Sequence, residues 1–89
     1  MKASHHCYVY VLGSWDGGAA RTYVGWSTDV AARLEAHNSG RGAKSTRGRI
    51  WQVLYVERFR LRGEAMSREW HLKRDRRFRR ELANGLVPF

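Results

Sequence analysis

The sequence predicts an α+β fold, with a small three-stranded antiparallel sheet flanked by helices in the order β-β-α-β-α-α. Three observations support this prediction. Two segments rich in β-branched and aromatic residues are separated by a glycine-containing turn signal. A helical pattern follows, and a third strand-like segment then precedes two further helical patterns. The chain has 89 residues, so we expect residues 1–89 to form one compact domain.

The first two strands are predicted to form a hairpin. Tyr8–Leu12 and Arg21–Trp26 have the composition of strands. The segment between them, Gly13–Ala20, contains the turn signal Asp16-Gly17-Gly18. We therefore expect two antiparallel strands that are joined by a loop of eight residues.

A first helix is predicted from about Thr28 to His37. Ser27 or Thr28 can act as its N-cap, because a hydroxyl oxygen accepts a hydrogen bond from a free amide of the first turn. Asp29 would then place negative charge in that first turn, which favours the helix dipole.

The remaining elements are one strand and two helices. Ile50–Phe59 is predicted to be the third strand, and its apolar residues on both faces indicate a central or well-covered position. One helix is predicted to start near Glu64, and a second to cover about Asp75–Leu82. We expect Trp51 and Trp70 to pack in the core.

The charge balance indicates a polyanionic partner. Seventeen Lys and Arg oppose eight Asp and Glu, for a formal charge of +9. Most of these cations are arginines, whose planar guanidinium suits phosphate recognition. We expect DNA as the partner, with RNA not excluded; the alternative is a charged surface that only maintains solubility. The predicted contact residues are Arg41, Lys44, Arg47 and Arg49 before the third strand, and Lys73, Arg74 and Arg77 in a late cluster that also contains Arg76, Arg79 and Arg80.

Cysteine content and hydropathy exclude several classes of protein. The single cysteine, Cys7, excludes a disulfide framework and any zinc site that needs several thiolates. No apolar run has the length of a membrane span, and no signal-peptide pattern opens the chain. We therefore expect a cytoplasmic protein with no membrane partner.

Two pairs of residues are candidates for chemistry. Arg33 and His37 are four residues apart in a predicted helix, so their side chains share a face and can bind one phosphate; the alternative is a solvated helix face. Tyr10 and Tyr23 lie on adjacent predicted strands, where paired aromatics either pack in the core or line a polar pocket. Gly25, on the same strand face as Tyr23, permits close approach of a ligand or a neighbouring element.

Glu69 is a candidate metal ligand. It is one of few carboxylates in a basic chain, and it lies in a predicted helix between Met66 and Leu72. Mg²⁺ is commonly bound by one or two carboxylates together with several waters. The alternative is a salt bridge between Glu69 and a nearby cation.

These residues resemble the GIY-YIG nucleases in their order and spacing. Tyr8-Val9-Tyr10 and Tyr23-Val24-Gly25 are similar to the two motifs that name the family. Arg33 matches the family's catalytic arginine, His37 its frequent companion histidine, and Glu69 its metal-binding glutamate. The likeness covers roughly residues 7–83 and is strongest to the small single-domain bacterial branch. It also extends to the catalytic domain of the eukaryotic structure-specific resolvase subunit.

Two positions depart from the family pattern. Tyr8 stands where the first motif usually has glycine, and Trp26 stands where many members have a lysine directly after the second motif. The resemblance still implies that Tyr10, Tyr23 and Arg33 belong to a catalytic site, which His37 and Glu69 would complete.

The resemblance implies a hydrolase that cuts DNA phosphodiester bonds with one divalent ion, Mg²⁺ or Mn²⁺, held by Glu69. Either Tyr10 or His37 would be the general base. We expect cleavage directed by DNA structure or by single strands, with little sequence specificity, in DNA repair, recombination or degradation in a bacterium. The alternatives are a nucleic-acid-binding module without catalysis and a subunit that needs a protein partner to direct or activate cleavage.

Overall fold

The computed structural model describes residues 6–86 and confirms the predicted α+β fold. The sheet is antiparallel, and β1 lies between β2 and β3. The strands are β1 (Cys7–Trp15), β2 (Ala20–Ser27) and β3 (Gln52–Phe59). The helices are α1 (Val30–Asn38), α2 (Arg62–Arg74) and α3 (Arg76–Ala83), with short 3-10 helices at Lys44–Thr46 and Asn84–Leu86.

The β1–β2 hairpin is longer than predicted, and its loop is only residues 16–19. The expected eight-residue loop is wrong because the side chain of Asp16 closes a tight turn. Its Oδ1 atom accepts hydrogen bonds from the amides of Gly18 and Ala19, at 3.0 and 3.1 Å. Gly17 has a φ of +97°, which a residue with a side chain rarely adopts. Gly13, Ser14 and Trp15 therefore continue β1 and pair with β2.

Residues of β1 alternate between two apolar clusters on opposite faces of the sheet. Val9 and Val11 pack on one face with Ala65 and Leu72 of α2, and partly buried side chains of α3 pack against this cluster. Tyr10 and Leu12 pack on the other face, where Trp51 and side chains of α1 cover them. The sheet is thus covered by α2 and α3 on one face and by α1 on the other.

The third strand lies at an edge of the sheet, so the prediction of a central or well-covered position is wrong. The central place is taken by β1, which pairs with both other strands. Several apolar residues that suggested burial are exposed: Val53 and Val56 are each more than one-third exposed, and Ile50 is 75% exposed and precedes the strand.

Helix α1 is capped by Asp29, not by Ser27 or Thr28 as predicted. The Asp29 side chain accepts a hydrogen bond from the amide of Ala32 at 3.0 Å, so the helix begins at Val30. Ser27 precedes this cap, and its hydroxyl oxygen accepts a hydrogen bond from the Asp29 amide at 2.9 Å.

Helix α2 begins at Arg62, close to the predicted start, and it is anchored by a narrow apolar stripe. Ala65 and Leu72 are fully buried. Trp70 was expected in the core, but it is 53% exposed and lies under the guanidinium of Arg74, 3.6 Å from the ring centroid. Trp70 is five residues from Ala65, which places it off the buried stripe of a helix with 3.6 residues per turn. Within residues 6–86, no helix has the length and apolar character that crossing a membrane requires.

Candidate active site

Tyr10 reaches across the neighbouring strand because Gly25 has no side chain. The two residues are directly opposite in the β1–β2 ladder. A Cβ atom at Gly25 would lie only 2.5 Å from the Tyr10 hydroxyl oxygen and 2.7 Å from the ring carbon that carries it. The phenol therefore occupies the space of the missing side chain, and its hydroxyl is carried toward the β2 edge of the sheet.

His37, from the last turn of α1, meets this hydroxyl. Its imidazole is fully buried, and its Nε2 atom lies 3.2 Å from the Tyr10 hydroxyl oxygen. Tyr23, opposite Leu12 in the ladder, packs on the same ring with a centroid distance of 4.7 Å. The structure thus brings together Tyr10, Tyr23 and His37, which the sequence placed on two strands and a helix.

The other imidazole nitrogen of His37 is also bonded. Its Nδ1 atom lies 2.8 Å from the hydroxyl oxygen of Thr46, which in turn donates to the carbonyl oxygen of Ala43 at 2.8 Å. Gly42 packs so closely on the ring that a Cβ atom there would overlap Nδ1. Sequence analysis did not identify Thr46, because a single threonine in a loop without periodicity gives no signal of its own.

Burial favours the neutral forms of both Tyr10 and His37. Burial is the main cause that raises the pKa of Tyr10; Tyr23 and Glu69 also raise it, while Arg33 lowers it. Burial and the positive charge of Arg33 lower the pKa of His37. Arg33 and Glu69 therefore lie close enough for their charges to act on the Tyr10 hydroxyl.

Glu69 is in α2, the helix that packs on the face of the sheet opposite to α1. Its Oε2 atom lies 3.5 Å from Nζ of Lys73, so the salt bridge of the alternative interpretation exists. Lys73 is largely exposed, and Glu69 itself retains 22% exposure. Within residues 6–86, no group of three or more His, Cys, Asp or Glu forms a metal-binding cluster. A single accessible carboxylate still fits Mg²⁺ or Mn²⁺, because Mg²⁺ takes most of its oxygen ligands from water and substrate phosphate.

The residues that were predicted to contact nucleic acid differ in their exposure and in their contacts within the protein. Arg41, Lys44 and Arg47 lie on the loop between α1 and β3, where all three are exposed. Arg77 is exposed on α3 beside Glu81, and Arg74 stacks on Trp70.

Arg49 differs from these residues, because its guanidinium is used inside the protein. It is only 16% exposed and donates to Asp16 Oδ2 at 3.2 Å, to Ser14, and to the carbonyl of Ala19. Arg49 therefore stabilises the hairpin, and its guanidinium is less available for contacts to nucleic acid.

Arg79 has a structural role that the sequence did not reveal. It donates to the carbonyl oxygens of Leu72 and Lys73, at 3.0 and 2.7 Å, and to the hydroxyl of Thr22 at 2.9 Å. It joins the end of α2 and the middle of α3 to strand β2. In the sequence it is indistinguishable from its arginine neighbours in the late cluster.

Comparison with known proteins agrees with the motifs. The GIY-YIG catalytic domain matches residues 6–82. A UPF0213 protein of Streptococcus pneumoniae serotype 4 is 45% identical over 78 residues, which cover 86% of this chain and 76% of that protein. A UPF0213 protein of Lacticaseibacillus paracasei is 42% identical over 76 residues, covering 84% and 82%. One of Halobacterium salinarum is 44% identical over 78 residues, covering 86% and 95%. No solved structure gives a significant match.

The domain match, the relatives and the arrangement of the motif residues lead to one assignment. Tyr10 and Gly25, one from each of the two motifs, are in direct contact across the hairpin. The chain belongs to the GIY-YIG nuclease family.

Proposed function

We propose that this protein is a metal-dependent endonuclease that hydrolyses DNA phosphodiester bonds. One observation carries the proposal: the His37 imidazole lies within hydrogen-bonding distance of a phenol hydroxyl whose pKa is shifted by the charges of Arg33 and Glu69. His37 lies 3.2 Å from the Tyr10 oxygen, and the charges of Arg33 and Glu69 act on it. A proton acceptor, a phosphate-binding cation and a hard carboxylate are the groups that phosphodiester hydrolysis requires. Membership of the GIY-YIG family supports the same reaction.

Tyr10 and His37 together would remove the proton from the attacking water. As the water oxygen forms its bond to phosphorus, its proton passes to the Tyr10 oxygen, and the Tyr10 proton passes to His37 Nε2. The bond from phosphorus to the leaving oxygen breaks, and that oxygen takes a proton from solvent. A direct phenolate is disfavoured, because only about one-thousandth of a free tyrosine is ionised at pH 7 and burial raises the pKa of Tyr10 further. Transfer to a neutral imidazole avoids that intermediate.

Arg33 and Tyr23 would bind the phosphate, and Glu69 would bind the divalent ion. Arg33 binds a non-bridging oxygen and neutralises the charge that grows in the transition state. Tyr23, which is only partly buried, positions the water or the phosphate. Glu69 would be the protein ligand of one divalent ion, Mg²⁺ or Mn²⁺, which when bound would polarise the scissile phosphate and stabilise the leaving oxygen.

The substrate class follows from charge. The net charge of +9 and the cationic loop residues Arg41, Lys44 and Arg47 favour contacts to the phosphate backbone. Such contacts position a substrate without reading its sequence, so we propose cleavage directed by DNA structure or by single strands. Such a cleavage activity would serve in the repair, recombination or degradation of DNA.

The decisive experiment compares cleavage by the full chain and by two matched variants. Labelled single-stranded, duplex and branched DNA, and single-stranded RNA, are incubated with Mg²⁺, Mn²⁺ or EDTA. The variants are Glu69→Ala and, as a control with the same charge change, Glu81→Ala. Glu81 is on α3, where it forms an exposed ion pair with Arg77. We expect cleavage that needs metal, is lost in Glu69→Ala and persists in Glu81→Ala.

A third variant tests the proton path. Tyr10→Phe removes the hydroxyl and should reduce turnover by about 100-fold or more. Undiminished turnover would exclude Tyr10 as base or relay. Binding without cleavage on every substrate would contradict catalysis by the isolated chain. Activity that then appears on addition of cell extract would favour a partner-dependent subunit, and its continued absence would favour a binding module.

A further inference from the structure

A buried chain of hydrogen bonds runs from the candidate site into the loop between α1 and β3. Its members, in order, are the Tyr10 hydroxyl, the two ring nitrogens of His37, the Thr46 hydroxyl and the Ala43 carbonyl. The three distances are 3.2, 2.8 and 2.8 Å. His37 and Thr46 are both fully buried, and Tyr10 is nearly so. Among the residues that the structure describes, no buried side-chain nitrogen or oxygen lacks a partner.

The Ala43 carbonyl at the end of this chain determines which group donates and which accepts in every hydrogen bond. A carbonyl oxygen can only accept, and two oxygens 2.8 Å apart without a hydrogen between them would repel each other. The Thr46 hydrogen therefore points to Ala43, and the Thr46 oxygen is left as an acceptor toward His37. The imidazole must then carry its hydrogen on Nδ1, and Nε2 presents a lone pair to the Tyr10 hydroxyl.

We propose that Thr46 is a positioning residue, which holds His37 in the one neutral tautomer that can accept the Tyr10 proton. The opposite tautomer would direct an N–H toward the Tyr10 oxygen and leave the phenol proton without its acceptor. When Nε2 takes the proton, the Nδ1–H bond to Thr46 remains in place, so the imidazolium forms without rotation of the ring. The inference rests on the proposed function, because it assigns a role within that proton path.

The surrounding loop holds Thr46 at this position. Thr46 belongs to the 3-10 helix Lys44–Thr46, and its carbonyl oxygen accepts a hydrogen bond from Trp51 Nε1 at 2.8 Å. The Asn38 side-chain amide makes two hydrogen bonds with the Trp51 backbone, at 2.6 and 3.0 Å, which joins the two ends of the loop. Gly42 leaves the room in which the ring and the loop approach each other. The loop is therefore fixed independently of the Thr46 hydroxyl, so that removing this hydroxyl need not displace the backbone.

The test compares wild type, Thr46→Val and Thr46→Ser by ¹⁵N NMR of the histidine rings, with His37→Gln to assign the His37 signals. Valine is close to threonine in size but has no hydroxyl, and serine restores the hydroxyl without the methyl group. At mildly alkaline pH we expect wild-type His37 to show a protonated Nδ1 and an unprotonated Nε2. Thr46→Val should shift the population toward a protonated Nε2, and Thr46→Ser should restore the wild-type pattern.

Cleavage kinetics provide the second readout. Thr46→Val should lower kcat by at least about tenfold with KM for DNA unchanged, and Thr46→Ser should recover most of this loss. Wild-type His37 with its hydrogen on Nε2 would overturn the proposal, and that measurement needs no variant to fold. Equal kcat in wild type and a folded Thr46→Val would overturn it as well. If wild type cleaves nothing, the proposed function fails, while the NMR measurement still decides the tautomer.

Discussion

Replacing Gly25 by alanine tests the contact that brings the two family motifs together. The new Cβ would lie 2.5 Å from the Tyr10 hydroxyl oxygen and 2.7 Å from the adjoining ring carbon. Since non-bonded contacts are favourable at about 3.5 Å, the phenol must move by about 1 Å. Tyr10 is buried and has no free space beside it, so this movement either lengthens its 3.2 Å hydrogen bond to His37 or displaces α1.

The expected loss of stability combines three effects. Overpacking typically destabilises a core by about 1–3 kcal/mol, and loss of the buried hydrogen bond adds about 1 kcal/mol. The lower entropy of alanine in the unfolded chain offsets about 0.5–1 kcal/mol. The net loss for Gly25→Ala is therefore about 2 kcal/mol, which lowers Tm by about 8–16 °C in a domain of this size. A misplacement of about 1 Å should also reduce turnover by about 100-fold.

Thermal and urea unfolding of Gly25→Ala measure this effect, with Gly63→Ala as the matched control. Gly63 lies in α2, and a Cβ atom there would have no neighbouring atom within 4 Å, so alanine should be neutral or stabilise by up to about 1 kcal/mol. Combining Gly25→Ala with Tyr10→Phe removes the nearest clashing atom, so the double variant should lose less stability than the sum of both changes. A Gly25→Ala protein as stable and as active as wild type would refute the packing on which the site is built.

Three further predictions concern the pH dependence of stability, the hydrogen bonds of Arg79 and the salt dependence of DNA binding. Because the pKa of His37 is lowered in the folded state by burial and by Arg33, the unfolded chain binds a proton there first as pH falls below about 6.5. The free energy of unfolding should therefore decrease from about pH 6.5 downward, with a steeper slope in wild type than in His37→Gln; equal slopes from about pH 8 to 5 in urea titrations would contradict this. Arg79→Ala removes the bonds that join α2, α3 and β2, and it should lower the free energy of unfolding by about 2–3 kcal/mol; a loss below about 0.5 kcal/mol in urea titration would show that these bonds contribute little. Arg47→Ala should weaken DNA binding and reduce the slope of log Kd against log salt by about 1, and an unchanged slope would exclude this side chain from the phosphate contacts.

Much of the fold was predictable because its signals are local. The period of two in Tyr8–Leu12 and the turn residues after Trp15 predicted the hairpin, and the helical spacing of apolar residues predicted α1 and α2. The same periods placed Tyr10 and Gly25 on compatible strand faces, and Arg33 one turn before His37. These relations hold within one element or one hairpin, so they need no knowledge of the remaining chain.

Errors arose where the outcome depends on which elements become neighbours. Apolar residues at Val53 and Val56 indicated a central strand, but the sheet order exposes them at an edge. Trp70 was expected in the core, yet it is exposed, because α2 presents Ala65 and Leu72 to the sheet instead. Hydrophobicity shows that a side chain favours burial but not whether the fold has a partner surface for it.

The sequence by itself determined the order of elements, the hairpin and the identity of the residues that the family motifs share. Only the tertiary structure decided how the phenol of Tyr10, the imidazole of His37 and the hydroxyl of Thr46 are joined in one line. These residues come from a strand, a helix and a loop, at separations of 27 and 9 residues. Their bonds have a direction that is set by a backbone carbonyl, and no periodic pattern in a sequence encodes where such a carbonyl will lie.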